Sequence, residues 1–296
     1  MSVTGPIAAT AAEERPSQHQ SFLAYHGFRY LKLAGLVSLI GIVIYVIDAP
    51  YGSRYGGTWA GYTLGTVGAL LILWLTWFGY RKRTYTVNTG DLAARLSAHV
   101  YLGGVALIVV ATLHTGFHFG WNIHTLAYAL MCIVIASGIF GVVTYSRYPR
   151  LMTENRHSMT MLEMLGRIAT LNEELLRIGV TSRLDDRTAA LIRDAVESTE
   201  IGGSFWRQLS GRYPHCATAR ALTETERMTV GTAPEMQATM RQVRVLLNQK
   251  AALLAQARRD VSYKAIIDVW LYVHVPLSFA LLATLLAHVV SVFFLW

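Results

Sequence analysis

The chain has 296 residues, of which 53 % are hydrophobic and only 15 % charged, well below the roughly 25 % charge of an ordinary soluble domain. Its formal net charge is +8, but the basic residues flank apolar runs, which records membrane topology and contact with anionic headgroups; no nucleic-acid partner is expected, and membrane lipid is. Only two cysteines occur, Cys132 and Cys216, far apart, which excludes a disulfide framework, a cysteine zinc site, an iron–sulfur cluster and CxxCH haem attachment.

The first 28 residues carry Glu13, Glu14, Arg15, Pro6 and Pro16 without an apolar core, and are expected to form a mobile tail rather than a cleaved signal peptide. Five runs then lack charge over most of their length: 33–47, 60–80, 96–118, 125–145 and 266–296. Each is near the ~20 residues a helix needs to cross a ~30 Å hydrocarbon core. The fold class that follows is an all-α integral membrane protein with about five transmembrane helices. Four lie in 29–146, a helical cytoplasmic insert occupies 147–265, and the fifth is 266–296.

Charge between the spans sets the expected orientation. Arg81, Lys82, Arg83 and Arg95 lie between the second and third runs, whereas Arg54 is alone between the first and second. The insert is bordered by Arg147, Arg150 and Arg156 at one end and Arg258, Arg259 and Lys264 at the other. By the positive-inside bias the Arg81 loop and the insert are cytoplasmic, with the N-terminus inside and the C-terminus outside. A bacterial cytoplasmic membrane is the expected location.

Within the insert, Met161, Leu165, Ile168, Leu171 and Leu175 recur at helical spacing before Gly179, and Met236, Met240, Val243, Leu247 and Leu254 do so after Pro234. The two predicted helices could pair as an antiparallel hairpin, with a shorter helix near 186–198 and an irregular patch through Gly202, Gly203, Pro214 and Cys216 between them. The apolar stripes read as helix core or as a docking surface for a redox partner. Nothing from Gln256 to Trp270 is glycine or proline, so the second helix is expected to run on into the last span.

Ionisable side chains inside a membrane are costly and usually functional. The third run contains His99, His114 and His118, and the fifth contains His274 and His288. His274 and His288 are 14 residues apart and His99 and His114 are 15 apart, in each case about four turns and roughly 21 to 22 Å of rise. Both runs point from cytoplasm to outside in the expected topology, so His99 faces His274 at the inner side and His114 faces His288 at the outer side. Two haems b, each between a histidine pair, are the expected cofactors and the histidines their iron ligands. His118 is the alternative outer ligand, but 19 residues from His99 it is rotated by ~100° from the ladder. His118 and His124 are expected near the outer surface, facing a propionate, a quinol or water.

Arg95, one turn before His99, is placed to meet a haem propionate, as are Lys264 and the 81–83 cluster; headgroup anchoring is the other reading of each. Gly103 and Gly104 remove side chains where a flat ring could approach the helix, or where helices pack.

The stretch from HVYLGG to LHTGFHFGWNIHTLAYALM, SGIFG at 137–141 and VHVPLSFALLATLLAH resemble the cytochrome b subunits of respiratory dehydrogenases and reductases. The third-and-fifth placing of both pairs is also similar to the ferric reductase and NADPH oxidase membrane domain. The resemblance implies a di-haem membrane electron carrier. No GxGxxG fingerprint is present and no iron–sulfur motif, so a separate redox subunit (a flavoprotein, an iron–sulfur protein or a cytochrome) is expected to dock at the insert. The expected function is an electron-transfer subunit of an oxidoreductase complex rather than an enzyme by itself. Rival expectations are a stand-alone quinol oxidoreductase or ferric reductase-like cytochrome, with quinone as a further cofactor, and a membrane sensor or scaffold with a cytoplasmic helical domain.

Overall fold

In the computed structural model, the described residues are 22–48, 56–81, 89–157, 159–182, 184–228 and 234–294. The predicted tail up to residue 21 and the loops holding Arg54, Lys82 and Arg83 lie outside them. Among the described residues the chain is helical without strands: α1 (Arg29–Asp48), α2 (Trp59–Arg81), α3 (Thr89–Tyr101), a π-helical turn (Leu102–Ala106), α4 (Leu107–Thr115), α5 (Ile123–Arg156), α6 (Met161–Thr181), α7 (Asp186–Glu197), α8 (Phe205–Ser210), α9 (Ala217–Met228) and α10 (Pro234–Phe294). Five helical stretches are long and apolar enough to cross a membrane: α1, α2, the α3–α4 rod, α5 and α10. This is the all-α membrane fold expected from the charge-free runs.

The chain divides into two compact units, residues 1–129 with 284–296 and residues 130–283. In the first, Ala34 of α1 packs with Ala98, Leu102 and Ala106 of the third span, and Tyr30, Val37, Leu71, Tyr101 and Val105 close around them. Small residues let these helices approach, as membrane packing requires when lipid offers apolar contact of its own. At Gly41 an added Cβ would already touch Leu64, Val110 and Leu113. The opposite face of α1 leaves Leu36, Leu39, Ile40, Val43, Val46 and Ile47 exposed, a surface for acyl chains. Phe22–Ala24, expected within the mobile tail, form a 3-10 turn held by the Tyr101 hydroxyl, which donates to Leu23 O at 3.0 Å.

The second unit holds the insert. Leu175 and Ile178 of α6, Ile192 and Ala195 of α7, Ala221 of α9 and Val243, Leu246 and Leu247 of α10 form its core. Helix α6 begins with a capping box, Thr160 accepting from Glu163 N–H while Glu163 accepts from Thr160 N–H, which satisfies two donors the helix start leaves open. Those bonds hold the Glu163 carboxyl below its ordinary pKa. Two boundaries differ from expectation. Helix α5 continues through Arg147 and Arg150 to Arg156 instead of ending at the membrane edge, because Asn155 and Arg156 are clamped to α10. Asn155 donates to Gln256 O and to Asp260 at 2.8 Å each, and Arg156 pairs with the buried Asp260. Helix α6 also runs through Gly179 to Thr181. Helix α10 is unbroken over 61 residues.

Candidate functional site

His99, His114, His118, His124 and His288 all belong to the first unit. His114 is on the last turn of α4, and its Nδ1 is 2.8 Å from Gly61 O. A carbonyl oxygen only accepts, so Nδ1 carries the proton and Nε2 the lone pair. The imidazole lies directly against α2: a Cβ on Gly65 would come within 2.8 Å of His114 Cε1 and 2.9 Å of Nδ1, and one on Gly56 within 3.2 Å of Cε1. Gly65 is therefore a wall of the His114 site, where any side chain displaces the ring. Gly65→Ala is expected to leave the fold intact by circular dichroism while lowering the amount of haem that copurifies; haem content equal to wild type would show that His114 needs no such wall.

His288, on α10, approaches His114 with ring centroids 5.9 Å apart and planes at 84°. Its Nδ1 is 2.5 Å from Nδ1 of His124, and the His124 and His288 rings are 4.6 Å apart at 85°. One ring donates and the other accepts, so His124 holds His288 by its Nδ1 side and leaves Nε2 turned to other use. The sequence places His124 near the outer surface with a propionate, quinol or water as partner; the partner found is His288. It is positioned by the first turn of α5, which Tyr128 ties to α4 through a 2.9 Å hydroxyl contact with Thr112.

His118 is not on the ladder. Helix α4 ends at Thr115, Gly116 takes the left-handed C-cap conformation at φ 56° and Phe117 follows at φ 63°. His118 Nδ1 bonds back to Gly116 O at 2.8 Å. A rotation counted along a helix does not apply beyond its end, so the reason for preferring His114 is the chain reversal rather than the ~100° mismatch.

His99 is half-buried on the last turns of α3, and Arg95 is half-buried one turn before it. Between His99 and His114 stands the π-helical turn Leu102–Ala106. A π turn closes i→i+5 and so takes up one residue more than an α turn. The 15-residue spacing on this rod thereby acts as a 14-residue α-helical spacing, the separation of His274 and His288. Both pairs then have one angular offset and about 21 Å of rise. Of the two glycines inside the turn, Gly103 faces Leu75 of α2, which lies 3.3 Å from where a Cβ would stand, while a Cβ on Gly104 would meet nothing within 4 Å; helix packing accounts for the first.

In the second unit His274 has its own support. Its Nδ1 lies 2.6 Å from Ser137 Oγ. Ser137 Oγ also lies 2.9 Å from Val134 O, and when its proton goes there the histidine donates and Nε2 keeps the lone pair. Trp270 stacks on His274 at 5.2 Å and 27° and donates Nε1–H to Ser137 O at 2.7 Å. Gly141 admits the indole, since a Cβ there would overlap its six-membered ring, and a Cβ on Gly138 would stand 3.7 Å from His274 Cε1. The SGIFG segment is thus the seat of Trp270 and His274. Sequence reasoning singles out neither Trp270 nor Ser137; a tryptophan one turn before the histidine is the available signal.

The donor chemistry suits a haem. A metal-ligating imidazole commonly gives its second N–H to a carbonyl or other oxygen, which fixes the tautomer and raises the basicity of the ligating nitrogen. His114 and His274 are held in this way. Among the described residues no group of three or more His, Cys, Asp and Glu is arranged to hold a bare metal ion. No protein-family model, curated protein or solved structure matches this chain.

Proposed function

We propose that this chain is an electron-transfer subunit of an oxidoreductase complex in a bacterial cytoplasmic membrane, binding two haems b through His99 with His274 and His114 with His288. The observation that carries the reading is that His114 and His274 each hold Nδ1 against an oxygen, the Gly61 carbonyl and the Ser137 hydroxyl, which for His114 leaves Nε2 with the lone pair. The π turn between His99 and His114 supports it by giving the two histidine pairs one spacing.

Haem supplies the one-electron couple at its iron when bound. The protein's share is ligation, orientation and exclusion of water. Gly61 and Gly65 fix the plane of His114, His124 steadies His288, and Ser137 with Trp270 fixes the plane of His274. Arg95 is the candidate partner of a propionate. In this reading the N-terminus is cytoplasmic, the C-terminus outside, and the insert receives the separate redox subunit. The test is a dithionite-reduced minus oxidised spectrum of the purified protein with a pyridine haemochrome assay. A b-type signal near two haems per chain is expected, and a colourless protein from haem-replete cells overturns the reading.

The unbroken α10 favours a second reading. A 61-residue helix is about 90 Å long at 1.5 Å per residue, and it joins the core of the insert to a membrane span without a hinge. A sensor or scaffold would use that continuity to pass movement between them, and the colourless protein is the result that would leave it standing.

A further inference from the structure

The segment 200–213 of the insert is fastened to α10 just before that helix becomes charge-free. Ser262 Oγ donates to Leu209 O at 3.3 Å, and Gly211, left-handed at φ 63°, closes α8 against Ser262, whose Oγ and Cβ lie 3.7 and 3.8 Å from the position of a Cβ there. Arg258 lies 4.0 Å over the Tyr213 ring and donates to Glu200 O at 3.0 Å. Beyond the Lys264–Asp268 ion pair, α10 has no Asp, Glu, Lys or Arg from Val269 to its end. Val269 follows Ser262 by about two turns, roughly 10 Å of helix rise, and a helix with its side chains is about 10 to 12 Å across. A short helix docked at Ser262 therefore reaches the headgroup layer, which adds some 5 to 7 Å to each side of the hydrocarbon.

Helix α8 has six residues, none of them buried. Phe205 is 49 % and Trp206 73 % exposed, their rings 5.4 Å apart; Arg212 is exposed beside them, and Arg207 is ion-paired with Glu200 at 2.9 Å. Isolated helices this short are not stable in water, and this one contributes nothing to the core of its unit. Tyrosine and tryptophan concentrate at the level where a membrane changes from acyl chain to headgroup, and exposed arginines there meet anionic lipid. The Tyr148 and Tyr263 rings, 5.4 Å apart where α5 and α10 leave their charge-free runs, mark the same level. We infer that α8 is a membrane-surface anchor, with Phe205 and Trp206 inserted at the acyl boundary and Arg212 among anionic headgroups of the leaflet where α10 enters. This inference is independent of haem. Its occupant is the bilayer, because the face is continuous with the membrane-entering end of α10 and presents Arg212 beside its two aromatic rings.

The full chain is placed in nanodiscs of phosphatidylcholine with phosphatidylglycerol, once with ordinary and once with acyl-brominated lipids. The fluorescence of Trp206 is taken as the difference between wild type and Trp206→Phe. That difference is expected to lose most of its intensity in the brominated discs and to be shielded from acrylamide. An equal difference signal in both discs with full quenching by acrylamide overturns the anchor and leaves the face to water or a soluble partner. Phe205→Trp in a Trp206→Phe background repeats the reading one residue away and is expected to give the same loss.

Discussion

Replacing His114 or His288 by alanine is expected to remove the same haem, and replacing His99 or His274 the other, so that each single variant keeps about half of the wild-type haem. The grouping is the informative part. A loss of bound haem alone follows from disturbing any tightly packed membrane helix, whereas a matching residual haem spectrum within each pair, on helices far apart in the sequence, is the pattern that shared ligation gives. Spectra and redox titration of the four variants read it directly: within a pair the surviving haem has one midpoint potential and one α-band, and the two pairs differ. His118→Ala should retain both haems, since His118 lies past the helix end and bonds to Gly116 O. If His118→Ala loses a haem and His114→Ala does not, the outer ligand has been assigned to the wrong histidine. His124→Ala separates ligation from support. It removes the ring that contacts His288 Nδ1 without removing a proposed ligand. Haem should stay bound with a shifted midpoint, and His124→Gln, which can still hydrogen-bond, should shift it less.

The spans are legible in the sequence because charge-free runs of membrane length are a property a single chain displays. What the sequence hides has physical reasons. The π turn is a backbone choice made inside a run that any helical period fits, and Gly103 and Gly104 give no sign of it. The apparent mismatch between 15 and 14 residues is the trace it leaves. His124 reads as a surface residue because its partner is 164 positions away. Helix α9 escapes because its buried positions are Ala217, Thr218, Ala221 and Thr225, small or polar residues without an apolar stripe. The extension of α5 through Arg147 and Arg150 escapes because a run of arginine reads as a loop until Asp260 and Gln256 supply partners on another helix.

The insert should become more stable as pH rises from about 8 to about 10, because of Lys250. This side chain is 1 % exposed and donates to Asn172 Oδ1 at 2.5 Å and Ala195 O at 2.7 Å, binding α6 and α7 to α10 through neutral acceptors. Burial lowers its pKa from 10.5 to about 8, with the Cys216 thiolate acting the other way. Below about pH 8 the lysine is charged in both folded and unfolded chains, and the net cost of its buried charge, about 3 kcal/mol, weighs on the folded state. Between the two values the folded state has lost the proton and the unfolded state keeps it, so stability rises with pH. Cys216 adds in the same direction. Burial raises its thiol pKa, but Ala219 N–H and Arg258 outweigh this and hold it below the ordinary value, so the folded thiol ionises first. Tyr213, raised by burial, and Lys264, raised by Asp268, oppose the trend only at higher pH. Urea unfolding of the full chain in detergent, followed by far-UV circular dichroism, should show a gain of about 2 kcal/mol across that interval. Lys250→Met should remove most of the slope and be at least as stable as wild type near neutrality, since a buried charge held by neutral partners is replaced by a side chain of similar length. A slope that survives in Lys250→Met and vanishes in Cys216→Ser would move the effect to the thiol. One that survives both would mean that Lys250 is charged throughout, held by its two acceptors strongly enough to offset its burial.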